Sequence, residues 1–122
     1  MHIAISEDSR IERCYVAACL RKAGWTVDSI EPKGTIPIVG QLLKNPPALL
    51  VLDYMLPQVR GDSIADVCNR HPELKNIPTL VLTAHQDPAL TQRLMVLGVR
   101  DVLYKPIKAN QLIEAVKKHL AQ

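Results

Sequence analysis

The sequence holds no phenylalanine, and Phe, Trp and Tyr together make up 3% of its 122 residues. A core built without many large rings must be aliphatic, which suits Leu-, Ile- and Val-rich strands in a parallel sheet. Cysteine is scarce and unpatterned. Cys14, Cys19 and Cys68 are odd in number and have no Cys-x-x-Cys spacing, so neither a disulfide framework nor a zinc knuckle is indicated. Cys14 and Cys19 fall on one expected helix among apolar neighbours, so reduced, buried thiols of a cytoplasmic protein are expected. No apolar run approaches the ~18 residues of a membrane span. Met1-His2-Ile3-Ala4 leads straight into a strand pattern without the layout of a signal peptide, and no membrane partner is expected. Charge of one sign is not concentrated either. Fifteen Lys and Arg stand against twelve Asp and Glu, interleaved, for a net +3. A basic patch is the least that a nucleic-acid binder shows, so direct nucleic-acid binding is not expected.

What is present is an alternation. Apolar residues form 48% of the chain, enough to build a core in one domain of this length. Ile3 to Ser6 reads as a strand ending in Glu7-Asp8. Ser9 opens a helix to about Ala23, with Glu12 completing a capping-box pattern and Val16, Leu20 and Ala23 at helical spacing. Gly24 stops it. Trp25 to Ile30 reads as a second strand and Ile36 to Lys44 as a short helix. After Asn45-Pro46-Pro47, the run Ala48 to Leu52 is apolar without interruption up to Asp53, as in a strand buried on both faces. Asp62 to Arg70 reads as a helix and Pro78 to Leu82 as a strand ending at Thr83. Asp87-Pro88 gives a cap and first residue for a helix reaching Leu97, stopped by Gly98. Val99 to Tyr104 is a fifth strand ending at Lys105-Pro106, and Lys108 to Leu120 a last helix. Five βα units predict an α/β fold, a doubly wound five-stranded parallel sheet with helices on both faces, in a single domain over 1–122. In such sheets ligands bind beyond the carboxyl ends of the strands.

Those ends carry the chemistry. Strand one gives Glu7 and Asp8, strand three Asp53, strand four Thr83 and strand five Lys105. Three carboxylates at one edge repel one another, so one is expected to take up a proton unless a hard cation neutralises them. Mg²⁺ suits oxygen ligands and commonly takes one or two carboxylates together with phosphate oxygens. Lys105 offers a compact positive charge and Thr83 a hydroxyl donor to phosphoryl oxygens. An Asp carboxylate can itself be the nucleophile and form an aspartyl phosphate. Alone, each residue has a blander reading, as a turn former or a charge favoured at a helix N-terminus. Their joint placement, one group to each strand end, is what points to phosphate chemistry.

Over essentially its whole length the chain resembles the receiver domain of two-component response regulators, of the CheY-like superfamily. The resemblance rests on Ile3-Ala4-Ile5-Ser6-Glu7-Asp8, on Leu52-Asp53-Tyr54-Met55-Leu56-Pro57 with Gly61, on Thr83-Ala84 and on Lys105-Pro106. It implies a flavodoxin-like (βα)5 fold with strand order 2-1-3-4-5 and a cis bond before Pro106. It implies phosphorylation of Asp53, with Mg²⁺ held by Asp8, Asp53 and the backbone carbonyl of Met55, and Glu7 acting mainly through a bound water. Lys105 would pair with the phosphoryl group, and Thr83 would move toward it. The donor would be a sensor histidine kinase or a phosphotransfer protein. The output would lie in a downstream protein target or in an effector domain outside the chain, and a homodimer through the helix 4–strand 5–helix 5 face is compatible with it. Such a domain promotes its own phosphorylation and dephosphorylation and is not an enzyme acting on a separate substrate. One departure stands out. The family commonly has Tyr or Phe three residues before the Lys, where this chain has Val102, while Tyr104 lies on the same strand face two residues on.

Two other readings compete. A degenerate receiver could act as an unphosphorylated interaction module, against which all five strand-end residues are retained. A flavodoxin-like cofactor binder or small hydrolase is disfavoured because the first loop is acidic, Glu7-Asp8-Ser9, and no phosphate cradle. His85 near Thr83 suggests a base, but no Ser or Cys sits at a strand-to-helix elbow, and a solvent-facing rim position is expected for it.

Overall fold

The computed structural model describes residues 2–121. Strands and helices alternate from β1 (His2–Ser6) and α1 (Arg10–Lys22) through β2 (Thr26–Ser29), α2 (Thr35–Lys44), β3 (Leu49–Asp53) and α3 (Gly61–Arg70) to β4 (Thr79–Thr83), α4 (Pro88–Val96), β5 (Asp101–Tyr104) and α5 (Ala109–Leu120). All strand pairings are parallel, in the order β2-β1-β3-β4-β5. The expected fold class and strand order are those observed.

Successive strand residues point to opposite faces, and both faces of the central strands are apolar. Ile3, Ile5, Val51, Leu80 and Leu82 pack under α1 and α5 against Val16, Leu20, Leu112 and Val116. Ala4, Leu50 and Leu52 pack on the other side against Ile38 and Leu42 of α2 and Ile64 and Cys68 of α3. Val81 and Val102 meet Leu94 of α4, together with Tyr54, Ala65 and Val99. Every residue of β3 and of β4 is buried, which is why their sequences lack alternation.

Helix boundaries follow local chemistry. Ser9 caps α1, accepting at its hydroxyl from the Glu12 N–H, and Asp87 caps α4, accepting from the Ala89 N–H, with Pro88 next. Pro37 is the third residue of α2, within the first turn, where a missing N–H leaves no bond unmade. Three details differ from expectation. The buried stripe of α1 is Val16, Ala17 and Leu20, while Ala23 is the exposed C-cap. Cys14 is exposed and Cys19 half-buried, and only Cys68 is a buried thiol, because position 14 lies off that stripe. β2 and β5 are each shorter than the apolar patterns suggested, starting at Thr26 and Asp101.

α4 is anchored differently from its neighbours. Leu94 is its one buried residue, worth about 2 kcal/mol of burial. Polar contacts add to this anchorage: a hydrogen bond between the Thr91 and Tyr104 hydroxyls, and the Arg93 guanidinium donating to Asp62 at 2.7 Å and to the Tyr54 hydroxyl at 3.3 Å.

Candidate functional site

The parallel register brings the strand ends into one row. Ser6 is level with Leu52, Asp53 with Leu82, and Thr83 with Tyr104. The next residues of β1 and β5 are therefore Glu7 and Lys105, and they flank Asp53 at the carboxyl edge. Lys105 Nζ lies 2.8 Å from Asp53 Oδ1, 2.6 Å from Glu12 Oε2 and 3.4 Å from Glu7 Oε2. The Lys105–Pro106 bond is cis, as the resemblance implied. Glu7, Glu12 and Asp53 offer carboxylate oxygens within 4.8 Å of one another.

Of the expected residues, Asp53, Glu7, Thr83 and Lys105 all reach this edge. Asp53, Glu7 and Thr83 are buried. Asp8 is exposed and is not one of the three carboxylates drawn together. Glu12, read from sequence only as a capping-box acid, is. Its carboxylate turns to Lys105, and the Ser9 N–H is bound instead by Glu7 Oε1 at 3.0 Å. The signal available beforehand was position: the first turn of α1 follows the acid pair directly, so an acid there shares the same sheet edge.

Electrostatics follow from the crowding. Burial pushes the Glu7 carboxyl up to about 7, with the Asp53 and Glu12 charges adding to the rise while the Ser9 N–H and Lys105 oppose it. Asp53 is also raised by burial, against the pull of Lys105. Burial alone would lower the Lys105 ammonium, but its bonds to Asp53 and Glu12 outweigh this and hold it charged far above ordinary pH. The pocket thus keeps one fixed cation among three acids, one of which is poised to hold a proton near neutrality.

The loop after Asp53 is pinned by two hydrogen bonds, Gly61 N–H to Tyr54 C=O at 2.6 Å and Leu56 N–H to Val59 C=O. They form a bridge that pairs Met55 with Arg60 and leaves the Met55 carbonyl outside it. A Cβ at Gly61 would stand 3.1 Å from the Asp53 carbonyl oxygen and from Tyr54 Cα, so a larger residue would crowd the backbone where α3 starts close to the end of β3. Thr83 Oγ1 accepts from the His85 N–H at 3.0 Å, which leaves its hydroxyl proton for another acceptor. His85 is exposed at the rim, edge-on to the Tyr54 ring. Val102 is buried, and Tyr104 packs with it against α4.

The comparisons with known proteins agree with this geometry. Residues 3–117 match the family model described as the response regulator receiver domain. A stretch of 110 residues, 90% of the chain, is 32% identical to the sensor histidine kinase TmoS of Ectopseudomonas mendocina and spans 11% of that protein. A stretch of 118 residues is 30% identical to the phosphate regulon transcriptional regulatory protein PhoB of Rhizobium meliloti (strain 1021), covering 97% of the chain and 51% of PhoB. The chain thus spans about half or less of the length of these relatives. Among solved structures, the signal receiver domain of a signal transduction histidine kinase from Syntrophus aciditrophicus superposes with a TM-score of 0.87 at 27% identity, over 98% of this chain and 89% of that one. No helix among the described residues is long and apolar enough to cross a membrane. With the family model spanning the sheet, the acid edge and the lysine alike, the chain belongs to the response regulator receiver domain family of two-component systems.

Proposed function

We propose that the chain accepts a phosphoryl group on Asp53 and passes the signal on by a change of conformation or by onward phosphotransfer. The observation that carries this reading is the Lys105 ammonium 2.8 Å from the Asp53 carboxylate, at the end of a fully buried central strand. An Asp53 oxygen attacks the phosphorus of the donor, the bond from phosphorus to the donor breaks, and the leaving group takes its electron pair. Lys105 stays in place to meet the charge on the transferred oxygens. The Thr83 hydroxyl has a proton to donate to one of them.

The acidic edge fits Mg²⁺. Its donors are all oxygens, as this hard cation requires, and Glu7, Glu12 and Asp53 bring three carboxylates within 4.8 Å of one another. Asp8 and Asp53 with the Met55 carbonyl would hold the ion, and Glu7 would act mainly through a bound water. When bound, Mg²⁺ supplies positive charge that offsets the carboxylates and the transferring phosphoryl oxygens.

A sensor histidine kinase or a phosphotransfer protein is the donor this reading calls for. A groove of about 280 Å³ beside the pocket supports such docking: Ile11, Tyr15, Pro106 and Ile107 line it together with Glu12 and Lys105, and Ile11 is 83% exposed. Output through α4, β5 and α5 follows from the position of Thr83, which leads into α4, and from the Tyr104–Thr91 bond; a homodimer on that face is one form it could take. Incubation with acetyl phosphate tests the reading. A phosphoryl mass should appear with Mg²⁺ and be lost when EDTA is present, and its absence in both would refute the phosphoacceptor role.

A further inference from the structure

Glu12 is the acid in the pocket that the strand-end pattern leaves unexplained. An ammonium has three N–H donors, and Asp53, Glu12 and Glu7 surround the one on Lys105 at 2.8, 2.6 and 3.4 Å. A phosphoryl group on Asp53 brings new oxygens that need a donor, so a present contact has to yield. Glu7 is buried and bound by the Ser9 N–H, and Asp53 carries the new group. Glu12 is the exchangeable partner, since its side chain is 43% exposed and water can replace the lysine. Resting on the phosphoacceptor reading, we propose that Glu12 is a positioning residue that holds Lys105 in the resting pocket and competes with the incoming phosphoryl group for it.

The bland role for an acid here is to complement the N-terminus of α1. That role predicts no change in phosphoryl uptake when the charge is removed. The Ser9 cap bonds the Glu12 backbone N–H, so Glu12→Gln keeps it.

The test is the initial rate of uptake from acetyl phosphate at saturating Mg²⁺ in four proteins: wild type, Glu12→Gln, Lys105→Ala and the double variant. Freed Lys105 should speed uptake in Glu12→Gln about two- to fivefold, the range of a partly exposed ion pair. In the Lys105→Ala background the same substitution should change nothing, because Glu12 acts through the lysine. Equal rates in wild type and Glu12→Gln overturn the role of Glu12 alone. A gain that persists without Lys105 overturns it too, as a general charge effect. A wild type that takes up no phosphoryl group overturns the phosphoacceptor reading and this inference with it.

Discussion

Replacing Glu7 by glutamine should remove the pH dependence that this residue imposes on stability. Glu7 is 4% exposed, and its carboxyl rises from an ordinary 4.5 to about 7, first through burial and then through the neighbouring Asp53 and Glu12 charges. A raised acid holds its proton more tightly in the folded state. Below pH 4.5 both states are protonated and the residue is neutral in its effect. Between 4.5 and 7 the unfolded chain ionises first, so folded stability falls as pH rises, and above 7 the loss is complete. At about 1.4 kcal/mol per pH unit, the full loss is about 3 kcal/mol. Glutamine has the shape of the protonated acid and no charge to bury. Relative to wild type, Glu7→Gln should therefore gain on the order of 3 kcal/mol between pH 4.5 and pH 8 in metal-free buffer. Urea melts with EDTA at the two pH values would show this as a relative midpoint shift on the order of 1.5 M. Saturating Mg²⁺ at pH 8 should shrink the difference, since the cation offsets the charge that burial penalises. A stability difference that stays constant across the pH range would refute the account of Glu7 as a strained buried acid.

Gly98→Ala should destabilise by about 1–3 kcal/mol in the same melts, because φ is 98° and an added Cβ would stand 2.5 Å from Asn69 Oδ1. Arg93→Ala should cost about 1 kcal/mol, discounted because the guanidinium is half exposed, and should speed amide exchange along Pro88–Val96 more than elsewhere. Thr83→Ala should still bind beryllofluoride, a phosphoryl mimic, but NMR shifts along α4 should shrink, since the hydroxyl that would reach the mimic is gone; undiminished shifts there would count against Thr83 as the switch.

The fold was readable because its apolar runs end sharply. Ala48 to Leu52 has no polar interruption before Asp53, and Thr83 and Lys105 close their strands in the same way, so a parallel sheet had to align them. Which of two adjacent acids turns inward was not readable. Glu7 and Asp8 follow β1 directly, successive residues face opposite ways, and small differences in the loop decide which of them is buried. Glu12 was hidden by a sufficient local explanation, the capping box, whose second half Glu7 performs instead. Cys14 looked buried by composition, yet the helical stripe of α1 passes it by. The Asp62–Arg93 pair joins positions 31 residues apart, and nothing local marks two such charges as partners. The fifth strand was legible at its end and not at its start: Val102 and Tyr104 share a face as expected, but the strand begins at Asp101, and the bond from Tyr104 to Thr91 of α4 had no local signal.

The central claim is that Asp53 alone takes the phosphoryl group. Wild type and Asp53→Asn, each incubated with acetyl phosphate and Mg²⁺ and weighed intact before and after hydroxylamine, test it most directly. Wild type should gain one phosphoryl mass that hydroxylamine removes, as an acyl phosphate requires, and Asp53→Asn should gain none. A phosphoryl group retained in Asp53→Asn, or one that survives hydroxylamine, would contradict the claim.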